Sequence, residues 1–207
     1  MKKNFFSLTV ILALVGFWAV SAYLFPFMPE SMVAHWGLSG APDGYSDKTL
    51  GLLLVPILVT VFSCMFLVLR SAKSIAPFRS AFERFVITFL LFFFYLHSFV
   101  LLWNLGSEIP LVPYFTALFG ILWYSVGALM AKTEPNPWVG VRTPWTFENP
   151  KVWEKTHRLA ASGFRLASLF AFATAVTPEV YAIWLVVVPP VAVGIISVFY
   201  SYFIRKS

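Results

Sequence analysis

The chain has 207 residues, of which 59% are hydrophobic, 19% aromatic and only 12% charged, with a formal net charge of +6. A soluble domain carries about 25% charged residues, so this chain lacks the polar surface to fold in water and its surplus apolar area must face lipid. The one cysteine, Cys64, sits inside an apolar run, so no internal disulfide exists and packing must hold the fold.

Six stretches approach the roughly 20 apolar residues that a membrane-spanning helix needs. In chain order they are about 5–25, 49–69, 82–105, 111–131, 157–176 and 180–204. Backbone groups in lipid must be satisfied within their own segment, so continuous apolar runs of this length predict helices. Alternating barrel strands would not produce them. The fold class is all-α, a polytopic bundle of about six spans. Span 1 follows Met1-Lys2-Lys3 and ends near Val20-Ser21-Ala22, which also resembles a leader with its cleavage site. We read it as a retained span, and the loop after it falls on the same side either way.

That loop, 27–48, reads "FMPESMVAHWGLSGAPDGYSDK". Pro42-Asp43-Gly44 is turn chemistry: Pro presets φ, Asp bonds its own backbone and Gly tolerates positive φ. Gly37 and Gly40 fit the same reading. His35, Asp43 and Asp47, with Glu30 nearby, are metal-ligand types, but their spacing matches no metal template. We expect no metal, and a structured recognition or packing loop.

Span 3 carries His97 and Asn104, seven residues apart and therefore on one face. Polar groups inside a span are expensive. These two predict either a hydrogen bond to a neighbouring span or part of a proton or solute path. Glu83, Glu108 and Glu179 fall near span ends, whereas a transporter usually holds more acids within its spans.

The polar stretch 134–158, "EPNPWVGVRTPWTFENPKVWEKTHR", separates spans 4 and 5. Pro135, Pro137 and Pro144 forbid a regular helix in its first half. Gly140 permits close backbone approach, and the planar fork of Arg142 suits a carboxylate, a phosphate or helix-end carbonyls. We expect Arg142 to bond nearby carbonyls or an acid. Asn149-Pro150 starts a helix, Asn as cap and Pro in the first turn, which runs unbroken into span 5. Glu154, Arg158, Ser162, Arg165 and Ser168 form one polar stripe along it. Arg165 is read as snorkelling to the interface. Trp138, Trp145 and Trp153 crowd this stretch, either as an interfacial belt or as part of a folded element.

Lys and Arg set the direction of the chain. With the N-terminus inside, Lys2, Lys3, Arg70, Lys73, Arg79, Arg84, Lys132, Arg142, Lys151, Lys155, Arg158, Arg205 and Lys206 lie on the cytoplasmic side, and only Lys48 lies outside. This split predicts a multi-pass plasma-membrane protein with both termini cytoplasmic. The basic charge is thus a topology signal, and no nucleic-acid partner is needed to explain it. The chain divides into 1–70, a two-helix module with the outer loop; 71–110, the third span and its connections; and 111–207, the last three spans with the loop at 132–158. Three spans per half would allow an inverted repeat, although the two loops align poorly. No nucleophile–base set, P-loop or dinucleotide fingerprint occurs, so neither catalysis nor a cofactor is expected.

"NPWVGVRTPWTFENPKVWEKTHRLA" resembles the signature of SdpI-type membrane proteins, with matches at Gly140, Arg142, Thr143, Pro144, Trp153, Thr156, His157 and Arg158. The outer loop resembles the N-terminal module that often precedes it, at His35, Trp36, Gly40, Pro42, Asp43 and Lys48. Ala161-Ser162-Gly163 departs from the pattern by placing its glycine late. The resemblance implies a prokaryotic immunity protein that protects its own cell from a secreted peptide toxin. It also implies that some members signal by holding a transcriptional repressor at the membrane. A small-solute or ion transporter, resting on His97, Asn104 and Arg165, is the alternative reading.

Overall fold

A computed structural model describes residues 3–37, 40–107 and 109–206. Lys2, counted above among the flanking charges, and Glu108, placed above near a span end, lie outside these residues. The apolar runs fold as α1 (Lys3–Leu24), α2 (Lys48–Ser71), α3 (Arg79–Asn104), α4 (Leu111–Met130), α6 (Pro150–Ala173) and α7 (Glu179–Phe203). A short α5 (Pro144–Glu148) precedes α6, and an antiparallel hairpin of β1 (Ser31–Trp36) and β2 (Pro42–Asp47) joins α1 to α2. Five of these segments are long and apolar enough to cross a membrane: Phe5–Phe27, Lys48–Ser71, Lys73–Asn104, Pro150–Val176 and Val180–Phe203. The backbone of α4 has 20 residues, about 30 Å of helix, of which Tyr114–Met130 counts as a shorter apolar helix. The architecture is an all-α polytopic membrane bundle. Leu12, Val68, Val180 and Phe199 are more than half exposed, as lipid-facing side chains are.

The chain forms two compact units. The first comprises Met1–Val68 and Phe89–Phe115, the second Leu69–Thr88 and Thr116–Ser207. In the first unit, Met28, Met32, Leu52, Val100 and Leu101 make a core under the hairpin. Gly51 lets α2 approach it: a Cβ there would sit 2.9 Å from Met32 Cβ and 2.8 Å from Ser46 Oγ. Pro56 interrupts the hydrogen-bond ladder of α2. The Pro56 carbonyl takes the Thr60 hydroxyl at 2.7 Å, and Thr60 Oγ1 in turn accepts Trp18 Nε1–H from α1 at 3.0 Å.

Pro42, Asp43 and Gly44 do not form the expected turn. They belong to β2, and the chain reverses before them, with Gly37 N–H on the Ala41 carbonyl at 2.9 Å and Gly40 at φ 77°. Gly44 is needed for packing: a Cβ there would lie 2.8 Å from His35 Cβ across the ladder. The register shifts on both sides of His35, where Gly44 is its partner.

In the second unit, Pro190 lies inside α7 and cannot donate to the Val186 carbonyl four residues back. Trp123 Nε1–H of α4 fills that role at 3.1 Å. Gly127 brings α4 close to α6, since a Cβ would meet the Ala161 carbonyl at 2.8 Å. The late glycine of the signature, Gly163, has its own partner: a Cβ there would meet both Val193 methyls of α7 at 2.8 Å.

Candidate functional site

Two folded elements hold the residues singled out above, one in each unit. The first is the hairpin. Asp47 caps α2 by accepting Leu50 N–H at 3.0 Å. Lys48 N–H bonds the Glu30 carbonyl at 3.0 Å, and its ammonium meets the Glu30 carboxylate at 3.2 Å and lies over the Phe25 ring. Its side chain is only 13% exposed, so the lone lysine of this loop is tied back. Trp36 packs edge-on against Phe99 and Trp103. Asn104 then clamps the hairpin. Its Oδ1 accepts Val33 N–H at 2.8 Å, and its Nδ2 donates to the Val33 carbonyl at 3.1 Å and to Val100 of its own helix.

His97 is buried and bonds Ser21 of α1 through Nε2 at 2.9 Å. His97 thus bonds a neighbouring span, as one of the two sequence readings held, whereas Asn104 reaches the hairpin backbone and no other span. His35 Nδ1 and Asp43 Oδ1 meet at 2.5 Å on the surface. Among the described residues no group of three or more metal-ligand side chains gathers here or elsewhere.

The second element is the signature loop. Asn136, buried, is its hub: Oδ1 accepts Trp138 N–H and Val139 N–H at 2.9 and 2.8 Å, while Nδ2 donates to the Glu134 and Val139 carbonyls. Arg142 Nη1 donates to the Pro137 carbonyl at 2.5 Å, one of the nearby carbonyls expected of it. Gly140 has φ 116° and lies so close to His157 that any Cβ would collide with Nε2. That nitrogen accepts Val141 N–H at 3.0 Å, and Nδ1–H donates to the Trp153 carbonyl at 2.9 Å. Because a carbonyl only accepts and a backbone N–H only donates, the partners select the neutral tautomer protonated on Nδ1.

Thr143 and Thr146 form a capping box at the start of α5, with Pro144 in the first turn. Thr143 Oγ1 and Trp145 Nε1 then both reach Ser201 of α7, at 3.2 and 2.6 Å. Trp153 is buried, donates to the Thr133 carbonyl at 2.9 Å and stacks on His157 at 4.0 Å between centroids. Trp145 and Trp153 therefore belong to a folded element, whereas Trp138 is 52% exposed. Asn149 caps α6 through Lys151 N–H at 2.9 Å, and the helix continues unbroken to Ala173. Thr156 is fully buried beneath the loop. Of the polar stripe, Arg158 pairs with Glu154 on the surface, Ser162 and Arg165 are exposed, and Ser168 turns inward to bond the Arg165 carbonyl.

Sequence reasoning missed Ser21, Asn136, Thr146 and Ser201, and above all the buried ion pair of Arg70 and Glu83. Arg70 Nε and Nη2 meet Glu83 Oε1 at 2.7 and 2.5 Å, with side chains 7% and 4% exposed. The available signal was an acid in the first turns of one span and an arginine at the end of the one before.

Residues 132–201 match the SdpI/YfhL protein family, and residues 11–60 match a domain of unknown function, DUF1648. The immunity protein SdpI of Bacillus subtilis (strain 168) is 28% identical over 211 residues, covering 100% of this chain and 97% of that protein. No solved structure matches.

Proposed function

We propose that this chain, which belongs to the SdpI-type family, is a non-enzymatic plasma-membrane immunity protein that protects its cell against a secreted peptide toxin. Alignment with an immunity protein along essentially the whole length of both chains carries this reading. The charge distribution supports a topology with both termini and the signature loop in the cytoplasm and the hairpin outside. The hairpin would then meet the extracellular peptide. The loop, pinned to α6 and α7 by His157 and Ser201, would present a fixed surface to a cytoplasmic repressor.

Expression in a host sensitive to a peptide toxin, followed by challenge, tests the reading. Survival above the empty-vector control is expected, and equal killing of both strains rejects it. The alternative of transport is weakened at Asn104, both ends of whose amide are engaged within the first unit, and at Nε2 of His97, which bonds Ser21.

A further inference from the structure

We propose that the open edge of β2 is a docking site for an extended, cationic peptide segment, which pairs with it as a third strand. The inference rests on the immunity reading for the side of the membrane involved, and on the hairpin for its chemistry. A two-stranded sheet has two edges, and an unpaired edge is a template for another chain. Here one edge is closed. Val33 turns its N–H and carbonyl away from β2, and the Asn104 amide takes both, standing where a neighbouring peptide group would be.

Antiparallel pairs alternate between bonded and non-bonded positions. Lys48 N–H on the Glu30 carbonyl marks a bonded pair, so Met32 with Ser46 is bonded, and Ser31 with Asp47 and Val33 with Tyr45 are not. The outward bonds of Val33 agree with this phase. By the same phase, Tyr45 turns its N–H and carbonyl away from β1, and among the described residues no side chain caps them as Asn104 caps Val33. The edge of β2 is the open one.

Its side chains state what it prefers. Asp43, Tyr45 and Asp47 alternate outward along β2, with Tyr45 65% exposed. Lys48, the one lysine of this loop, is paired with Glu30, which precedes β1. Acids thus border the open edge of a chain whose net charge is +6, and an acidic edge attracts a strand bearing Lys or Arg. Tyr45 adds an aromatic surface for the aliphatic stems of those residues.

The test uses the full chain in nanodiscs of zwitterionic lipid and a fluorescent eight-residue peptide of alternating Lys and Val. Fluorescence anisotropy should show saturable binding. Replacing Lys by Glu in the peptide, or N-methylating its bonding edge, should weaken binding at least about tenfold. On the protein side, Tyr45→Pro removes the outward N–H without touching the ladder to β1, and Asp43→Asn with Asp47→Asn removes charge while keeping a capping side chain before α2. Each should weaken binding by a similar factor. The N-methylated peptide probes the edge on the unaltered chain, so the proposal stays testable if Tyr45→Pro fails to fold. Equal binding of the Lys and Glu peptides, or of the methylated and plain ones, overturns it. Protection from toxin without Lys–Val binding also overturns the edge and leaves immunity standing. Binding without protection sinks immunity and leaves the edge standing.

Discussion

His157 Nε2 accepts the N–H of Val141 across 16 residues at 3.0 Å, and this bond joins the glycine-containing loop to the helix that follows it. His157→Phe preserves the stack on Trp153 but strands the N–H of Val141, a loss of about 1–3 kcal/mol for a donor left without its partner. We expect a lower melting temperature in detergent and faster proteolysis within 134–148. Unchanged cleavage of that loop would contradict the role.

Gly140→Ala should be worse than Gly106→Ala. Both glycines have positive φ, 116° and 93°, and each alanine pays about 1–3 kcal/mol for that backbone. Only at Gly140 would the new Cβ also strike His157, whereas nothing lies within 4 Å of it at Gly106. Melting temperatures of the two variants, compared side by side, read the difference directly. Equal losses would mean that the collision is relieved by a small shift of the ring.

The spans, the cap at Asn149 and the carbonyl partner of Arg142 were legible because each depends on local chemistry: apolar runs, an Asn-Pro pair, a guanidinium beside prolines. The hairpin was not. Pro42-Asp43-Gly44 has the composition of a turn, and what makes it a strand is distant. The Asn104 amide fixes β1 from 71 residues away, and the space beside His35 admits only a glycine at position 44. Ser201 was equally hidden, because a serine near the end of an apolar helix carries no local mark of the two side chains that meet there.

Asn104→Leu tests the clamp. Leucine fits the volume but leaves both backbone groups of Val33 unpaired, for a loss of about 1–3 kcal/mol for each group buried without a partner. Protease accessibility of 31–47 should rise while that of 134–148 stays constant. A hairpin as resistant as before would show that Trp36 and the core beneath suffice to hold it.

Ser201→Ala removes the shared partner of Thr143 and Trp145. Each has lost a hydrogen bond worth about 1 kcal/mol, but α5 keeps its own capping box. The expected result is α5 loosened from α7 and still helical. Tryptophan fluorescence should report it as a shift from Trp145, abolished in a Trp145→Phe background. A spectrum unaltered by Ser201→Ala would rule out this docking contact.

The Arg70–Glu83 pair sets the sharpest contrast between removing one charge and removing both. Buried at 7% and 4% exposure, each group helps to offset the desolvation of the other. Glu83→Ala removes the acid paired with a buried guanidinium and should cost about 3–5 kcal/mol, whereas Arg70→Met with Glu83→Leu replaces both by apolar groups and is often neutral or better. Thermal unfolding of the two variants in detergent gives the order. Should the double variant melt as low as the single one, the pair does more than balance its own burial, and its charges would be required by the turn at 72–78 that lies between them.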